Sequence, residues 1–510
     1  MENLANLLTL RHIVAAVITY LASFVLYRLF LHPLARFPGP KLAAITRWYE
    51  GYYDIIQNGH YTFKIAELHK EYGPIIRISP YELHVNDPAF FEQLYRQDGR
   101  WHKYSWAMDA FGAKGATLFT VDHELHKSRR QPLGPFFSKA KVASRQDLIH
   151  RHLLKFCGRI SKFANSGETF NLGAAATAIT RDVANEFILN KSYNSLDRED
   201  FDITMLTASQ GSGQIWRPSK HIPVITKIFK AIPIDWIIKN AGDDMKEFFL
   251  YLKETMQDTK NLMAAATSPI SDQDKDQEYQ RTIVNGILDS KLPSSEKSVE
   301  RVFDDVSTVA GAGFETTASV LRLVFFHVFD NPDILKQLRT ELTSINADPS
   351  EVEIKTLEQL PYLTSTLMEG LRLSPAIATR MARISTDKDL FYGNWRIPIG
   401  TPVGMTTILM HTDETLYPDP KRFNPDRWMD PESRKMVDKT FAPFSRGTRN
   451  CLGMHLAWAE LYVIVATIAY RYNFKFQGAT AEDFECISDQ FAIGTKGRGN
   501  LNATVSIREM

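Results

Sequence analysis

The chain has 510 residues, with 60 Lys+Arg against 59 Asp+Glu and a formal charge of +1, which excludes a polyanion binder held by bulk electrostatics. With 44% hydrophobic and 23% charged residues, it reads as a globular protein with a large core, not a disordered, collagenous or coiled-coil chain. Its cysteines, Cys157, Cys451 and Cys486, are too few and odd in number for a disulfide framework and point to a reducing compartment.

In chain order, the first element is Ile13–Leu31, where Thr19, Ser23 and Arg28 are the strongly polar residues. At about 1.5 Å per residue it spans about 28 Å, nearly a bilayer core, with Arg28 close enough to the end to snorkel. The run is long for a cleaved signal peptide, and His32, Pro33 and Leu34 are not a small-residue cleavage site. A buried core helix is the other alternative, but a proline-rich segment follows. Arg11 precedes the span, whereas Arg28, Arg36, Lys41 and Arg47 lie in or after it, so the C-terminal part is expected in the cytosol. The reading is an anchor over residues 1–31, a stiff hinge over 32–40 containing Pro33, Pro38 and Pro40, and a body over 41–510.

Helical periodicity predicts helices over Gln146–Ser161, Ile179–Leu189, Asp244–Ala265, Val299–Val328, Leu335–Ile345, Leu357–Leu373 and Leu452–Tyr472. Short strands are expected at Ile75–Ser79, Glu82–Val85, Asp389–Tyr392 and Trp395–Ile397. The polar stretch Thr267–Glu300 reads as a surface excursion broken by one helix. The fold class is mainly α with small β-sheets: one large domain behind a transmembrane helix.

The segment Phe444-Ser-Arg-Gly447-Thr-Arg449-Asn-Cys451-Leu-Gly453 leads into the last helix. A cysteine at a helix mouth meets unpaired N–H groups and the positive dipole end, which favour a thiolate. Flanking glycines let backbone approach something flat, and Arg449 supplies a fixed cation. These are the needs of a haem iron held by one thiolate, against the plain alternative of a buried free cysteine, the default for Cys157 and Cys486. The segment resembles the cytochrome P-450 signature Phe-x-x-Gly-x-Arg-x-Cys-x-Gly, and further landmarks of that family follow in order along nearly the whole chain.

The resemblance implies haem b (iron protoporphyrin IX), with Cys451 as the axial iron ligand and Phe444 and Gly453 bordering it. It places Arg449, His126, Arg130 and Arg383 on the haem propionates, with Lys127 and Arg129 facing outward. His123 and His126 are i and i+3, which is not the zincin spacing. Glu369-Gly-Leu-Arg372 and Phe423-Asn-Pro-Asp-Arg427-Trp428 match the Glu-Arg-Arg network that locks the cysteine loop, with Asp426 in place of the usual Glu. Ala312-Gly313-Phe-Glu315-Thr316-Thr317 matches the oxygen-activating segment, where Glu315 and Thr316 would handle protons. Gly311 and Gly313 cost about 1 kcal/mol each in a helix, which suggests close approach of oxygen to the backbone.

No Gly-x-Gly-x-x-Gly or Walker loop is present, so electrons are expected from a separate NADPH-cytochrome reductase. Trp101, Trp106, Phe111 and Phe119 crowd the stretch assigned to substrate contact. His221–Asn240 is apolar with interspersed lysines and is expected to roof the pocket against the bilayer. Ordinary core is the alternative for both. The expectation is a monooxygenase of the endoplasmic reticulum membrane, single-pass with a cytosolic catalytic domain. It would act on an apolar small molecule, a terpenoid or polyketide of fungal secondary metabolism of the trichodiene oxygenase type, with no nucleic-acid partner. The rivals are a haem-thiolate isomerase or dehydratase needing no reductase, and a non-enzymatic haem-binding protein.

Overall fold

A computed structural model describes residues 2–211, 213–267 and 281–509. Residues 268–280, part of the polar excursion expected from the sequence, lie outside the described residues.

The first helix, α1 (Glu2–Leu26), continues through a π-helical turn, Tyr27–Leu31. Within Thr9–Leu31 an 18-residue window has a mean hydropathy of 2.0, with 6% of it buried, as expected of an anchor. Arg28 does not snorkel, being 8% exposed. Its guanidinium donates to the Tyr81 hydroxyl at 2.5 Å and the Ile45 carbonyl at 3.3 Å, and lies over the Phe24 and Tyr81 rings at 4.3 and 4.7 Å. The buried Arg77 donates to the Arg28 and Pro80 carbonyls, each at 2.8 Å. The segment expected to be a hinge is a packed strap: Leu34 and Phe37 are buried, and Phe37 stacks on Trp395 at 5.1 Å.

The principal helices of the body are α2 (Tyr61–Tyr72), α3 (His123–Arg130), α4 (Gln146–Ser166), α5 (Leu172–Leu189), α6 (Ile203–Gln210), α7 (Gly213–His221), α8 (Val224–Ala231), α9 (Ile234–Asn240), α10 (Asp243–Thr267), α11 (Val299–Asp330), α12 (Pro332–Thr343), α13 (Pro361–Leu373) and α14 (Met454–Arg471). The single helix expected over Leu357–Leu373 is two, because Pro361 holds Leu360 extended at φ −87°, ψ 106° and leaves Ile354–Leu357 separate. The core lies where α4, α5, α11 and α14 meet, around Phe156, Ile179, Val183, Leu321, Val324, Leu461 and Val465. The small residues of α5 let α11 approach closely: a Cβ on Gly313 would sit 2.9 Å from the Ala184 Cβ. Packing thus accounts for Gly313, and the expectation of oxygen access at that glycine is corrected.

Among the described residues twelve strands complete the fold: β1 (Ile75–Arg77), β2 (Leu83–Val85), β3 (Trp101–Lys103), β4 (Phe170–Asn171), β5 (Arg383–Ser385), β6 (Leu390–Tyr392), β7 (Trp395–Ile397), β8 (Pro402–Gly404), β9 (Tyr472–Phe476), β10 (Cys486–Gln490), β11 (Ala492–Thr495) and β12 (Asn502–Ile507). The largest sheet runs β1-β2-β8-β5-β3. Its β3–β5 pair sets Lys103 opposite Arg383 and Trp101 opposite Ser385. The stretch expected at the bilayer forms α8 and α9 and buries none of its residues. It exposes Val224, Ile228, Phe229 and Trp236.

Candidate haem site at Cys451

Cys451 lies in a loop that turns back just ahead of α14. Its N–H donates to the Phe444 carbonyl at 2.9 Å, closing the turn between the two signature residues. The turn needs Gly447, at φ +77°, because a Cβ there would come within 2.4 Å of the Arg96 carbonyl oxygen. A Cβ on Gly453 would meet nothing within 4 Å, so open space, not packing, borders that residue. The Cys451 side chain is exposed, yet burial of the site pushes its thiol pKa up, against the Gly453 backbone N–H and the charge of Arg130. The expected helix-mouth stabilisation is present but outweighed. A bound metal cation would supply the remaining charge that a thiolate needs.

Five cationic or potentially cationic side chains gather near this cysteine: Lys103, His126, Arg130, Arg383 and Arg449. His126 and Arg130 lie one turn apart on α3, whose N-terminus Asp122 caps by accepting from the Leu125 N–H at 2.8 Å. Arg130 donates to the carbonyl and side-chain oxygens of Asn450 at 2.7 and 2.9 Å, tying α3 to the cysteine loop. Arg449 donates to the carbonyls of Thr120, Val121 and Asp122 at 2.7, 2.9 and 3.1 Å. Arg383 donates to the Met381 and Ala382 carbonyls at 2.9 and 3.3 Å, and Lys103 donates to the Leu118 carbonyl.

Among the described residues no Asp or Glu forms an ion pair with any of these five. Arg383 Nη2 and Arg449 Nε are buried without a hydrogen-bond partner. Burial and mutual repulsion lower the pKa of His126 to about 2 and of Arg449 to about 9, and push the Lys103 ammonium well down. Such a cluster lacks an anion. Its surplus positive charge fits the two carboxylates of a haem, and the cysteine fits the iron. Lys103 escaped the sequence reading, since only the β3–β5 register brings it beside Arg383. Arg129, expected on the surface, is instead buried against Glu296, with its Nε 2.6 Å from the carboxylate.

Glu369 and Arg372 are fully buried and joined by two hydrogen bonds of 2.8 Å. The Glu369 carboxylate also accepts from Arg427 at 3.1 Å, the Trp428 indole at 2.9 Å and the Asn424 N–H at 2.9 Å. A further member, His411, links the network to the cysteine loop. Its Nε2 accepts from the Ala442 N–H at 3.1 Å while Nδ1 contacts the Arg372 carbonyl at 3.1 Å. This pairing puts the proton on Nδ1, and burial beside Arg372 pushes the pKa down to about 3. Ala442 in turn accepts from the Ser445 N–H at 2.9 Å.

Ala312 and Thr316 share one face of α11, where Ala312 is exposed in mid-helix. The Thr316 hydroxyl donates to the Ala312 carbonyl at 2.9 Å. Glu315 is turned to a different face and held by Arg322, by Gln210 Nε2 at 2.6 Å and by the Ser209 hydroxyl at 3.2 Å. Phe111 and Phe119 stack at 4.2 Å, with Trp216 at 5.6 Å and Phe491 at 4.7 Å from Phe111. Phe491 sits at φ +73°, fixed by its N–H donating to Asp489 at 2.9 Å. Trp101, expected in this pocket, is buried in β3 and donates to the Asp98 carbonyl at 2.8 Å. Trp106 packs on His221 at 5.3 Å and under Arg47 at 4.3 Å.

A mostly helical domain that sets one cysteine among basic side chains with no acidic partner has the donor set of a haem-thiolate protein. A sequence model of the cytochrome P-450 family matches residues 47–498. The chain is 37% identical over 96% of its length to tryptophan 6-hydroxylase of Fusarium equiseti, covering 96% of that protein. It is 36% identical to N-acetyltryptophan 6-hydroxylase of Emericella nidulans, over 91% of this chain and 90% of that one. It is 33% identical to the cytochrome P-450 monooxygenase TRI4 of Fusarium sporotrichioides, over 93% and 90%. The chain belongs to the cytochrome P-450 family, and its reaction class is haem-dependent monooxygenation.

Proposed function

We propose that this chain is a membrane-anchored monooxygenase of fungal secondary metabolism that holds haem b through Cys451 and takes electrons from NADPH-cytochrome reductase. The cluster of basic side chains without an acidic partner around the loop carries this reading: Lys103, His126, Arg130, Arg383 and Arg449 would hold the propionates, with Phe444 and Gly453 flanking the thiolate. When bound, the haem supplies dioxygen reduction and the transfer of one oxygen atom to substrate, the other leaving as water.

The chain's own residues do the rest. The Thr316 hydroxyl spends its proton on the Ala312 carbonyl, so its lone pairs can accept from a pocket water and hold it in place. Glu315 is the nearby acid of the proton supply. Phe111, Phe119, Trp216 and Phe491 exclude bulk water and orient an apolar substrate. A groove of about 830 Å³ lined by Lys139, Gln146, Lys355, His455 and Trp458 opens beside the start of α14 and would receive the electron donor. The exposed apolar faces of α8 and α9 and the basic residues after the span support a single-pass protein of the endoplasmic reticulum membrane with a cytosolic domain.

The apolar rings of Phe111, Phe119, Trp216 and Phe491 support a terpenoid or polyketide substrate. An indole ring is the second reading, favoured by the names of two relatives and by the flat faces that the stacked phenylalanines offer. Reduced, carbon monoxide-bound protein should show the red-shifted Soret band of thiolate ligation, lost in Cys451→Ala but kept in Cys157→Ala and Cys486→Ala. An unshifted band in intact wild-type protein refutes the ligand assignment. Difference spectra with N-acetyltryptophan and with trichodiene separate the two substrate readings.

A further inference from the structure

The loop that carries Phe119 contains one 3-10 turn, Thr117–Phe119, too short to fix the loop by itself. Two aspartates of α11 reach it. Asp305 Oδ1 accepts from the Thr117 N–H at 2.6 Å and Oδ2 from the Thr117 hydroxyl at 3.0 Å, while Asp304 accepts from the Gly115 N–H at 2.9 Å. Arg129 of α3 grips the chain before and after the turn, donating to the Lys114 carbonyl at 3.0 Å and the Thr120 hydroxyl at 2.8 Å. The two grips are joined. Arg129 pairs with Glu296 through Nε at 2.6 Å and Nη2 at 2.9 Å, Glu296 accepts from Arg301 Nε at 2.9 Å, and Arg301 Nη1 pairs with Asp305. Two guanidiniums and two carboxylates thus alternate around a ring that closes through the loop, and their charges cancel.

Asp305 is wholly buried, and Thr117, Arg301 and Arg129 are nearly so. Stability alone would be served as well by apolar side chains, at a lower desolvation cost. What charged bonds add is a fixed geometry. Ala312 and Thr316 lie seven and eleven residues beyond Asp305, each within about 20° of its line along α11, with Thr316 about 16 Å further on. Phe119 lies two residues beyond Thr117, and its ring stacks on Phe111 at 4.2 Å, 12° from parallel. The Asp305 carboxylate therefore ties the stacked rings to the same stripe of α11 that carries Thr316.

We propose that Asp305 is a positioning residue for substrate: through Thr117 it fixes the Phe119–Phe111 stack relative to the Thr316 stripe of α11, and so sets which flat, apolar ligands the pocket accepts. This rests on the reading that the stack faces substrate. Rings fixed before the ligand arrives spare the ordering cost that a free loop would impose on binding.

The test uses purified, haem-loaded full-length protein with its thiolate-ligated carbon monoxide band intact. Imidazole and 4-phenylimidazole are titrated in, each read by the Soret shift of nitrogen ligation. The ratio of their dissociation constants cancels the iron bond and leaves the preference for the phenyl ring. Asp305→Ala should cut that preference about tenfold, as loss of a hydrogen bond to a charged group allows, while imidazole itself binds as in wild type. Asp305→Asn, whose amide oxygen can still accept from the Thr117 N–H, should restore most of it. Thr117→Val, which removes the hydroxyl and keeps the N–H, should lower the preference by less than Asp305→Ala, and it carries the test if Asp305→Ala fails to hold haem. Phe119→Leu should lower the preference too, and adding Asp305→Ala to it should lower it no further. Full additivity of those two changes overturns the proposal. So does an unchanged preference in the Asp305 and Thr117 variants when Phe119→Leu lowers it, a result that leaves the stack beside substrate. An unchanged preference in Phe119→Leu removes that ring from the substrate pocket, and the proposal falls with it.

Discussion

His411 should make the cysteine loop sensitive to acid, by an amount that follows from its surroundings. It is neutral in the fold, with a pKa near 3, and about 6.5 in the unfolded chain. Between those values the unfolded chain binds the extra proton, so stability rises with pH across the window. The contribution of the neutral ring is complete above about pH 6.5 and is lost as pH falls from there towards about 3. Each pH unit is worth about 1.4 kcal/mol, so about 2 kcal/mol is gone by pH 5. Since the ring bridges the Arg372 carbonyl and the Ala442 N–H, the loss should appear at the cysteine loop.

Glutamine can present an amide N–H and a carbonyl oxygen without titrating. His411→Gln should cost about 1–2 kcal/mol at pH 7 through imperfect packing, and its stability should converge with that of wild type near pH 5. Urea denaturation followed by the thiolate-ligated carbon monoxide band, at pH 7, 6 and 5, measures this directly. Parallel stability profiles for the two proteins would show that His411 does not carry the acid sensitivity.

Lys103→Met should speed haem loss by about tenfold or more, the equivalent of one charge-assisted hydrogen bond to a propionate. This is read as haem transfer to a scavenging globin, and a rate equal to wild type would remove Lys103 from the haem site. Thr316→Ala should keep NADPH oxidation going while product falls; an unchanged product-to-NADPH ratio in fully haem-loaded protein would end the water-holding role. Asn190-Lys-Ser192 and Asn502-Ala-Thr504 are glycosylation sequons and should stay unmodified in microsomes, whereas glycan on either would reverse the orientation.

The long α11 was legible from helical periodicity, and the cysteine segment and the Glu369–Arg372 pair from residues close in sequence, whereas Arg427, 58 residues from Glu369, was placed in the network by the family resemblance alone. The β3–β5 register was not legible, as three-residue strands carry too little alternation to be read. Lys103 was missed for that reason, and Trp101 was placed in the pocket when it belongs to a strand. His411 gave no signal either, since its partners lie at Arg372 and Ala442, far apart along the chain. Arg129 was assigned to the surface because spacing on a short helix cannot show that Glu296 folds back over it. Gly313 had a visible cost and a hidden cause, the approach of α5.

The clasp between Arg28 and Arg77 changes what the bilayer means to this enzyme. A domain on a slack leash would sample every attitude to the membrane. Here the last turn of the proposed anchor is built into the body, so a bilayer holding that helix would restrict the attitudes open to the catalytic domain. Arg77 is 2% exposed and spends Nη1 on the Arg28 carbonyl. Cutting the chain after Leu31 to make a soluble enzyme would strand that buried N–H at a cost of about 1–3 kcal/mol, so the natural point of severance lies upstream of Arg28.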